Sequence, residues 1–335
     1  MFLGVDGGGT KTALCLVTQD GALAGTTQTR SSYYLGSPQG TRLVRDVLEE
    51  GVGEVCRQAG IAPDGVTDAF FGLPAYGEAS ADLPALDSIP GEVLGHDRYA
   101  CGNDMVAGWA GSLGAEDGIN VVSGTGSICY GERDGRQARV GGWSELFGDE
   151  GSGYWIAVRG LEAFSRMSDG RLDPGLLLDA VRDHLGIAAD LDAIGVVQNE
   201  WQGSRTRVAA TSRVVAHAAD LGDPVAREIL AQAAAELVLL VETAAARLGF
   251  EDEEAVPVSY SGGVFSADVV RHEFVRLLGA AARRYDLREP LYTPSVGAAL
   301  YAARLAGRPL AQAGRDRLLR QTWPVVSNPP SRRPT

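Results

Sequence analysis

Lysine is almost absent from this chain of 335 residues: Lys11 is the only one, and arginine supplies every other basic side chain. The 30 basic residues are outnumbered by 43 acidic ones, which leaves a formal net charge of −13 at pH 7. Because such a field repels polyanions and acidic lipid surfaces, we expect neither nucleic acid nor a membrane as a partner.

Cysteine and histidine are scarce as well, with four of each. Cys15, Cys56, Cys101 and Cys129 form no Cys-x-x-Cys pair, and we read them as reduced core thiols. No basic segment with a cleavage site precedes the first predicted strand, and we expect no apolar run to reach the length that spans a bilayer. Together these features predict a cytoplasmic protein.

Glycine, by contrast, is abundant at 44 residues, and two glycine-rich turns resemble each other. They read Gly4-Val5-Asp6-Gly7-Gly8-Gly9-Thr10-Lys11-Thr12 and Ser123-Gly124-Thr125-Gly126-Ser127. Each lies between two predicted strands, with an Asp-Gly hairpin after the second strand. Backbone N–H groups in such turns form anion-binding nests, and glycine permits the close approach of a phosphate. The repeat predicts two related domains, each with a phosphate-binding turn.

Neither turn is one of the commoner nucleotide motifs. Thr12 stands where the Rossmann fingerprint has its third glycine, and a strand rather than a helix follows. Thr10 separates Gly9 from Lys11, whereas a Walker A loop has its lysine directly after the closing glycine. Lys11 therefore either contacts a phosphate or points to solvent from a strand.

The rest of the chain alternates strands and helices, which predicts an α/β protein of two domains. We place the first domain at 1–116 and the second at 117–294. A small-residue helix follows at about 295–305. The stretch 322–335, which contains several prolines and arginines, is predicted to be a flexible tail.

Two aspartates are best placed for chemistry. Asp104 follows a predicted strand and starts a helix, the position where open α/β sheets have their ligand crevice. Kept ionised by the helix N-terminus, it could take a proton from a sugar hydroxyl as a general base; alternatively, Asn103-Asp104 is a plain helix cap. Asp6 ends the first strand inside the first turn, so we expect it to orient Mg²⁺, directly or through water.

Two further segments could bind ligands. The stretch 141–155 combines glycine, acidic and aromatic residues that suit a polar ring compound: Trp143 offers an apolar face, and Asp149 and Glu150 accept hydrogen bonds from hydroxyls. One of these acids could instead cap the helix that begins near Ser152. The turn Ser261-Gly262-Gly263 would let a flat adenine or ribose lie against the backbone.

Taken in order, these motifs resemble the N-acetylglucosamine kinase branch of the BadF/BadG ATPase family. The resemblance implies the fold of the sugar kinase, Hsp70 and actin superfamily, with two ribonuclease-H-like domains that close over ATP and sugar in an interdomain cleft. The helix at 295–305 would pack back on the first domain. The implied cofactors are ATP and Mg²⁺, the implied partner is a small-molecule amino sugar, and the implied assembly is commonly a homodimer.

The implied reaction transfers the γ-phosphoryl group of ATP to the 6-hydroxyl of N-acetyl-D-glucosamine or a close relative. Asp104 would be the base, and Asp6 the acid that orients Mg²⁺. The predicted ATP contacts are Gly7, Gly8, Gly9, Thr10, Lys11, Thr12, Ser123, Gly124, Thr125, Gly126, Ser127, Ser261, Gly262 and Gly263. The predicted sugar contacts are Tyr33, Asn103, Asp104, Gly142, Trp143, Asp149 and Glu150. Tyr33 stands where such kinases usually carry an asparagine, so it could stack on or hydrogen-bond a different sugar.

Other functions stay open at this level. A glucosamine kinase, or a kinase of another hexose or polyol, fits the same motifs. The same nucleotide fold drives ATPase activators of reductases, but those need paired cysteine ligands for an iron–sulfur cluster, which this sequence lacks. A sugar-responsive regulator would carry a helix-turn-helix domain, and a ROK kinase would carry a zinc-binding cysteine cluster.

Overall fold

Residues 1–251 and 254–322 are described by a computed structural model, and they divide into two units. The first unit contains Met1–Asp117 and the chain from Glu289 onward, and the second contains Gly118–Arg288. The predicted flexible tail at 322–335 lies outside the described residues from position 323 on.

The first unit is built on a five-stranded sheet with the order β3-β2-β1-β4-β5. The strands are β1 (Phe2–Gly7), β2 (Lys11–Val17), β3 (Leu23–Arg30), β4 (Asp68–Leu73) and β5 (Tyr99–Asn103). The helices are α1 (Arg42–Ala59), α2 (Leu83–Leu94), α3 (Asp104–Leu113), α11 (Pro294–Leu305) and α12 (Gln312–Thr322). Since β1, β4 and β5 run parallel to one another, their carboxyl ends lie at one edge of this sheet.

The second unit repeats this plan, with the strand order β8-β7-β6-β9-β10. Its strands are β6 (Gly118–Ser123), β7 (Ser127–Arg133), β8 (Arg136–Gly141), β9 (Val256–Ser261) and β10 (Tyr285–Arg288). Its helices are α4 (Gly153–Ser168), α5 (Leu176–Leu185), α6 (Asp192–Gly195), α7 (Arg205–Ala210), α8 (Ser212–Asp220), α9 (Pro224–Leu248) and α10 (Asp268–Ala280). The predicted α/β fold with two related sheets is thus confirmed.

Helix α11 lies on the sheet of the first unit with its backbone close to that of its neighbours. A side chain at Gly4 of β1 would collide with the backbone of Ser295 and Ala299, and one at Gly297 would collide with the backbone of Gly111 in α3. Small residues along the helix therefore let it sit directly on β1 and α3.

Helix α12, which the sequence reading did not foresee, covers the β2–β3 hairpin. A side chain at Gly21, where φ is +79°, would collide with the backbone of Gly314. The amide of Gln321 bonds the same hairpin, since it accepts from the Leu23 N–H at 3.1 Å and donates to the Gly21 carbonyl at 3.1 Å.

Helix α9 corrects one expectation. By length and composition alone it could cross a membrane, so our expectation that no apolar run reaches that length is wrong. Its 25 residues, Pro224–Leu248, follow the N-cap Asp223, whose carboxylate accepts from the Ala226 N–H at 2.9 Å. Buried side chains such as Leu237 and Val241 belong to the hydrophobic core of the second unit, which explains why the helix is so apolar.

The four cysteines are free. Cys15, Cys56 and Cys129 are buried, and Cys101 is partly exposed. Burial raises the pKa of both Cys15 and Cys101 to about 12, so these side chains stay thiols at neutral pH. This agrees with the prediction of reduced thiols, with Cys101 less deeply buried than expected.

Candidate active site

The first glycine turn connects β1 to β2 and is held from below by polar groups. The Gly8 N–H donates to the Lys11 carbonyl at 2.8 Å, and the Ser31 hydroxyl donates to the Gly8 carbonyl at 2.8 Å. A Cβ at Gly7 would come within 2.7 Å of the Ser32 hydroxyl oxygen. Gly9, Thr10 and Lys11 are exposed, so this part of the turn can receive a ligand.

Thr12 and Lys11, both predicted ATP contacts of this turn, differ in exposure. Thr12 is fully buried, and its hydroxyl donates to Ser32 at 3.0 Å, so it braces the turn from inside. Lys11 is exposed, and its ammonium group donates to the Gln28 side chain at 3.3 Å. An exposed lysine on a flexible stem can exchange this neutral partner for an anion.

Asp6 and Asp104 lie at the carboxyl edge of the first sheet. Asp6 on β1 pairs with Gly72 on β4, and Gly72 pairs with Gly102 on β5, two residues before Asp104. The glycine between them fits a narrow space. A Cβ at Gly72 would lie 3.0 Å from the Val5 carbonyl oxygen and 3.3 Å from the Cα atom of Asp104. The fold therefore brings the predicted base and the predicted metal-orienting acid to one place.

Both carboxylates have raised pKa values. Burial raises the pKa of Asp6 to about 6, opposed by the charge of Lys11. Burial, followed by the charges of Asp6 and Glu78, raises the pKa of Asp104 to about 7. The N–H groups at the start of α3 act in the opposite direction but are outweighed. Burial and the neighbouring acids thus act against the helix N-terminus at Asp104, and the expectation that this carboxylate is ionised stays a prediction.

Asn103, not Asp104, caps helix α3. Its side-chain oxygen accepts from the Met105 N–H at 3.1 Å, and its amide nitrogen donates to the Tyr76 carbonyl at 3.3 Å. Asn103 thus supplies the cap that the dipeptide offered, and the role of Asp104, the first residue of the helix, stays a prediction. Asn103 is 7% exposed, and its predicted contact with sugar stays a prediction.

Tyr33 follows β3 in the first unit. Its side chain is 45% exposed, while the next residue, Tyr34, is buried. The Tyr33 N–H donates to the Ser31 hydroxyl at 3.1 Å, and that hydroxyl in turn holds Gly8 of the first glycine turn. Tyr33 is thus attached to the first glycine turn through one serine.

The second glycine turn, in the second unit, is fastened to the segment 149–153. The Ser123 hydroxyl donates to the Gly151 carbonyl at 2.8 Å, and the Ser127 hydroxyl donates to the Glu150 carbonyl at 2.6 Å. The Gly153 N–H donates to the Gly124 carbonyl at 2.8 Å. These predicted phosphate-binding hydroxyls therefore hold the fold, whereas Thr125 at the tip is exposed.

The segment before α4 exposes an aromatic side chain at its start. Gly142 has a φ of +70°, and a Cβ there would lie 2.6 Å from Ile128, which explains the glycine. The side chain of Trp143 is 68% exposed. Ser152 caps α4 by accepting from the Trp155 N–H at 3.1 Å, so neither acid of this segment is needed as a cap. Glu150 remains partly exposed.

Asp149 is a buried carboxylate, 3% exposed, with a φ of +56°. Burial raises its pKa, and the charge of Arg205 opposes the shift. Among the described residues, the only hydrogen bond to this carboxylate comes from the Arg205 guanidinium to Oδ2. Sequence reasoning missed Arg205, because it lies 56 positions from Asp149 and in no motif.

The third predicted segment packs against the second glycine turn. β9 ends at Ser261, which pairs with Val122 on β6. Gly262 has a φ of +103°, and a Cβ there would collide with the backbone of Ser123. Gly263 opens a short 3₁₀ helix, Gly263–Ser266. The structure therefore places the predicted adenosine contact beside the predicted phosphate contact.

The sequence profile of the BadF/BadG/BcrA/BcrD ATPase family matches residues 3–302. The chain belongs to this family. An N-acetylmuramic acid/N-acetylglucosamine kinase of Clostridium acetobutylicum is 30% identical over 82% of this chain and 89% of its own length. An N-acetyl-D-glucosamine kinase of Dictyostelium discoideum is 31% identical over 90% of this chain and 97% of its own.

A solved structure from Chromobacterium violaceum, assigned as an N-acetylglucosamine kinase, shares the fold with a TM-score of 0.66 and 26% identity. It covers 90% of this chain and 98% of its own. The resemblance to the BadF/BadG family is thus confirmed. These relatives also support the predicted activity of an ATP-dependent sugar kinase.

An ATPase of this family uses a nucleotide, and the acid pair suits the magnesium that accompanies nucleotides. Within residues 1–251 and 254–322, no three His, Cys, Asp or Glu side chains converge as a metal cage. Mg²⁺ does not need one, because it keeps several waters and is usually held by one or two carboxylates together with phosphates. Asp6, close to Asp104 and to the first glycine turn, meets that requirement.

Proposed function

We propose that this chain is an amino-sugar kinase that transfers the γ-phosphoryl group of ATP to the 6-hydroxyl of N-acetyl-D-glucosamine or a close relative. The pair of Asp6 and Asp104 carries the proposal. A carboxylate whose pKa is about 7 suits proton transfer at neutral pH, and a second carboxylate beside it suits a phosphate-bound cation.

The backbone of the two glycine turns would bind the phosphates. In the first unit the exposed stretch is Gly9 to Lys11, and in the second it centres on Thr125. We assign contact to backbone N–H groups rather than to most side-chain hydroxyls, because those of Thr12, Ser123 and Ser127 donate within the fold. The predicted interdomain cleft stays a prediction.

Asp6 would hold Mg²⁺, directly or through water. When bound, the ion neutralises charge on the phosphoryl oxygens. The chain's own contribution is to keep Asp6 and Asp104 in register through Gly72 and the cap Asn103. Removal of Mg²⁺ with a chelator should abolish ADP formation, and added Mg²⁺ should restore it.

Asp104 would act as the general base. Its carboxylate takes the proton of the acceptor hydroxyl while that oxygen forms a bond to the γ-phosphorus. The bond from the γ-phosphorus to the bridging oxygen breaks, and ADP leaves. Base catalysis of this kind contributes about 10²- to 10⁴-fold in rate.

Asp149 and Trp143 would contact the acceptor. Oδ1 of Asp149 receives no hydrogen bond from the described residues and is not one of their fully buried polar atoms without a partner, so a ligand hydroxyl can bind it. The exposed indole of Trp143 can lie against the apolar face of a sugar ring. Gly142 and Glu150, in the same segment, are further candidate contacts.

An acceptor screen tests the proposal. ADP release would be measured with N-acetylglucosamine, glucosamine, N-acetylmannosamine, glucose and polyols, and the phosphorylated carbon of the product would be identified by ³¹P and ¹³C NMR. We expect the largest kcat/KM for an amino sugar and a phosphate on O6. ATP binding without acceptor-dependent ADP release would contradict the proposal.

Tyr33 favours a second candidate, a kinase of glucosamine or another hexose or polyol. Its exposed ring, attached to the first glycine turn through Ser31, stands where such kinases usually have an asparagine. The same screen decides between acceptors. An iron assay distinguishes either kinase from a reductase activator, because the activator holds an iron–sulfur cluster. Homodimer formation and the cytoplasmic location stay predictions, the first open to light scattering.

A further inference from the structure

We propose that Arg205 is a positioning residue that holds Asp149 ionised and oriented toward the acceptor. The inference rests on the proposed function, since it concerns how the acceptor-binding acid is prepared. Arg205 is the first residue of α7, so it comes from an element outside every motif described above.

Arg205 binds two acids of the 141–155 segment. Its Nη2 atom contacts Oδ2 of Asp149, and its Nε atom lies 3.2 Å from Oε2 of Glu145. The Asp149 side chain is nearly inaccessible, whereas that of Arg205 is 42% exposed. A two-pronged guanidinium can hold both carboxylates at once, which a lysine ammonium in the same place cannot do with the same geometry.

The ion pair also touches the second glycine turn. A Cβ at Gly126 would collide with Nη2 of Arg205 and lie 2.6 Å from Oδ2 of Asp149. The absence of a side chain at Gly126 leaves room for this ion pair next to the turn. Arg205 thus joins the acceptor segment to the phosphate-binding turn.

The energetics give Arg205 its role. A carboxylate as buried as Asp149 favours the protonated form unless a cation compensates. The charged groups that face Asp149 are Arg205, which lowers its pKa, and Glu145 and Glu150, which raise it. With Oδ2 occupied by Arg205, the second oxygen is left to accept a hydrogen bond from a sugar hydroxyl.

The main test is Arg205→Gln. We expect the acceptor KM to rise about tenfold or more, as the loss of a charge-assisted contact predicts, with a smaller change in the KM for ATP. Because removal of the cation raises the pKa of Asp149, a ¹³C titration of the Asp149 carboxyl should give a higher pKa in Arg205→Gln than in the wild type. Arg205→Lys should restore part of the affinity.

Arg207→Gln is the matched control. Arg207 lies on the same helix, is exposed, and among the described residues bonds only the Glu200 carbonyl. It should leave the acceptor KM and the pKa of Asp149 unchanged. The melting temperature of each variant shows whether it is folded. If Arg205→Gln is not folded, Arg205→Lys tests the positioning role in its place.

Two outcomes distinguish the two proposals. If the wild type is active, and both Arg205 variants keep its acceptor KM and its Asp149 pKa, the positioning role is overturned and the kinase assignment stays intact. If the wild type phosphorylates no acceptor, the kinase assignment fails. A ¹³C titration of the Asp149 carboxyl then judges Arg205 separately: a pKa that does not rise in Arg205→Gln overturns the role.

Discussion

The charge of Asp6 raises the pKa of Asp104, its neighbour across the carboxyl edge of the first sheet. Two partly buried carboxylates at one edge are costly for folding, and among the described residues Lys11 is the cation that lowers the pKa of Asp6. The arrangement resembles other sites where function places charges that stability alone would avoid.

Replacement of Asp104, the proposed base, should remove catalysis without removing nucleotide binding. We expect Asp104→Asn to lower kcat by about 10²- to 10⁴-fold, because the acceptor hydroxyl loses its proton acceptor. ATP affinity, measured by calorimetry, should change little. Asp97→Asn, an exposed aspartate before β5, serves as the control. Near-wild-type turnover in Asp104→Asn would contradict the assignment.

The same substitution should change stability in a pH-dependent way. The pKa of Asp104 is raised in the folded protein from 3.8 to about 7, so the folded state binds the extra proton between these values. The unfolding free energy of the wild type therefore falls as pH rises from about 4 to 7 on account of this group. Asp104→Asn should melt at a higher temperature than wild type at pH 8, and the gap should close toward pH 4. An equal gap at both pH values would argue against the raised pKa.

Gly72→Ala tests the packing between the two acids. The added Cβ would lie 3.1 Å from Cβ of Ala107 and 3.3 Å from Cα of Asp104, so α3 must move. We expect a loss of about 1–3 kcal/mol in unfolding free energy and a lower kcat. Gly53→Ala in α1 is the matched control, because its Cβ meets nothing within 4 Å, and it should stabilise the helix slightly. If both variants retain full turnover, the spacing of the acids is not critical.

Trp143→Ala separates acceptor binding from folding. Since the indole is 68% exposed, its removal should leave the melting temperature nearly unchanged. The acceptor KM should rise by a factor that corresponds to a loss of roughly 1 kcal/mol or more in binding free energy, while the KM for ATP stays the same. Leu146→Ala, at an 83% exposed position of the same segment, is the comparison. Equal effects of the two substitutions would show that no stacking contact is made.

The sequence was most informative at the two glycine turns and the strands on either side of them. The two turns, their strands and the aspartates at strand ends follow from local pattern, because a tight turn between two strands leaves few residue choices. Asn103-Asp104 was harder, since the same dipeptide fits a cap or a base. The hydrogen bond from the Met105 N–H to Asn103 shows the cap, and the role of Asp104 stays a prediction.

Other features depend on contacts distant in sequence. The ion pair of Arg205 and Asp149, the burial that raises the pKa of Asp104, and the capture of the Ser123 and Ser127 hydroxyls by carbonyl groups leave no trace in local pattern. Helix α12 was missed because its exposed face is polar and its stabilising neighbour, Gly21, lies far away in the sequence.

The bonds from Ser123, Ser127 and Gly153 make the second glycine turn and the stretch that carries Asp149 into one mechanical piece. A displacement of either segment therefore displaces the other. Binding of a sugar should consequently slow amide hydrogen exchange at Gly124 and Gly126, even when no nucleotide is bound. A bound sugar would in this way rigidify the turn that we propose for the phosphates of ATP.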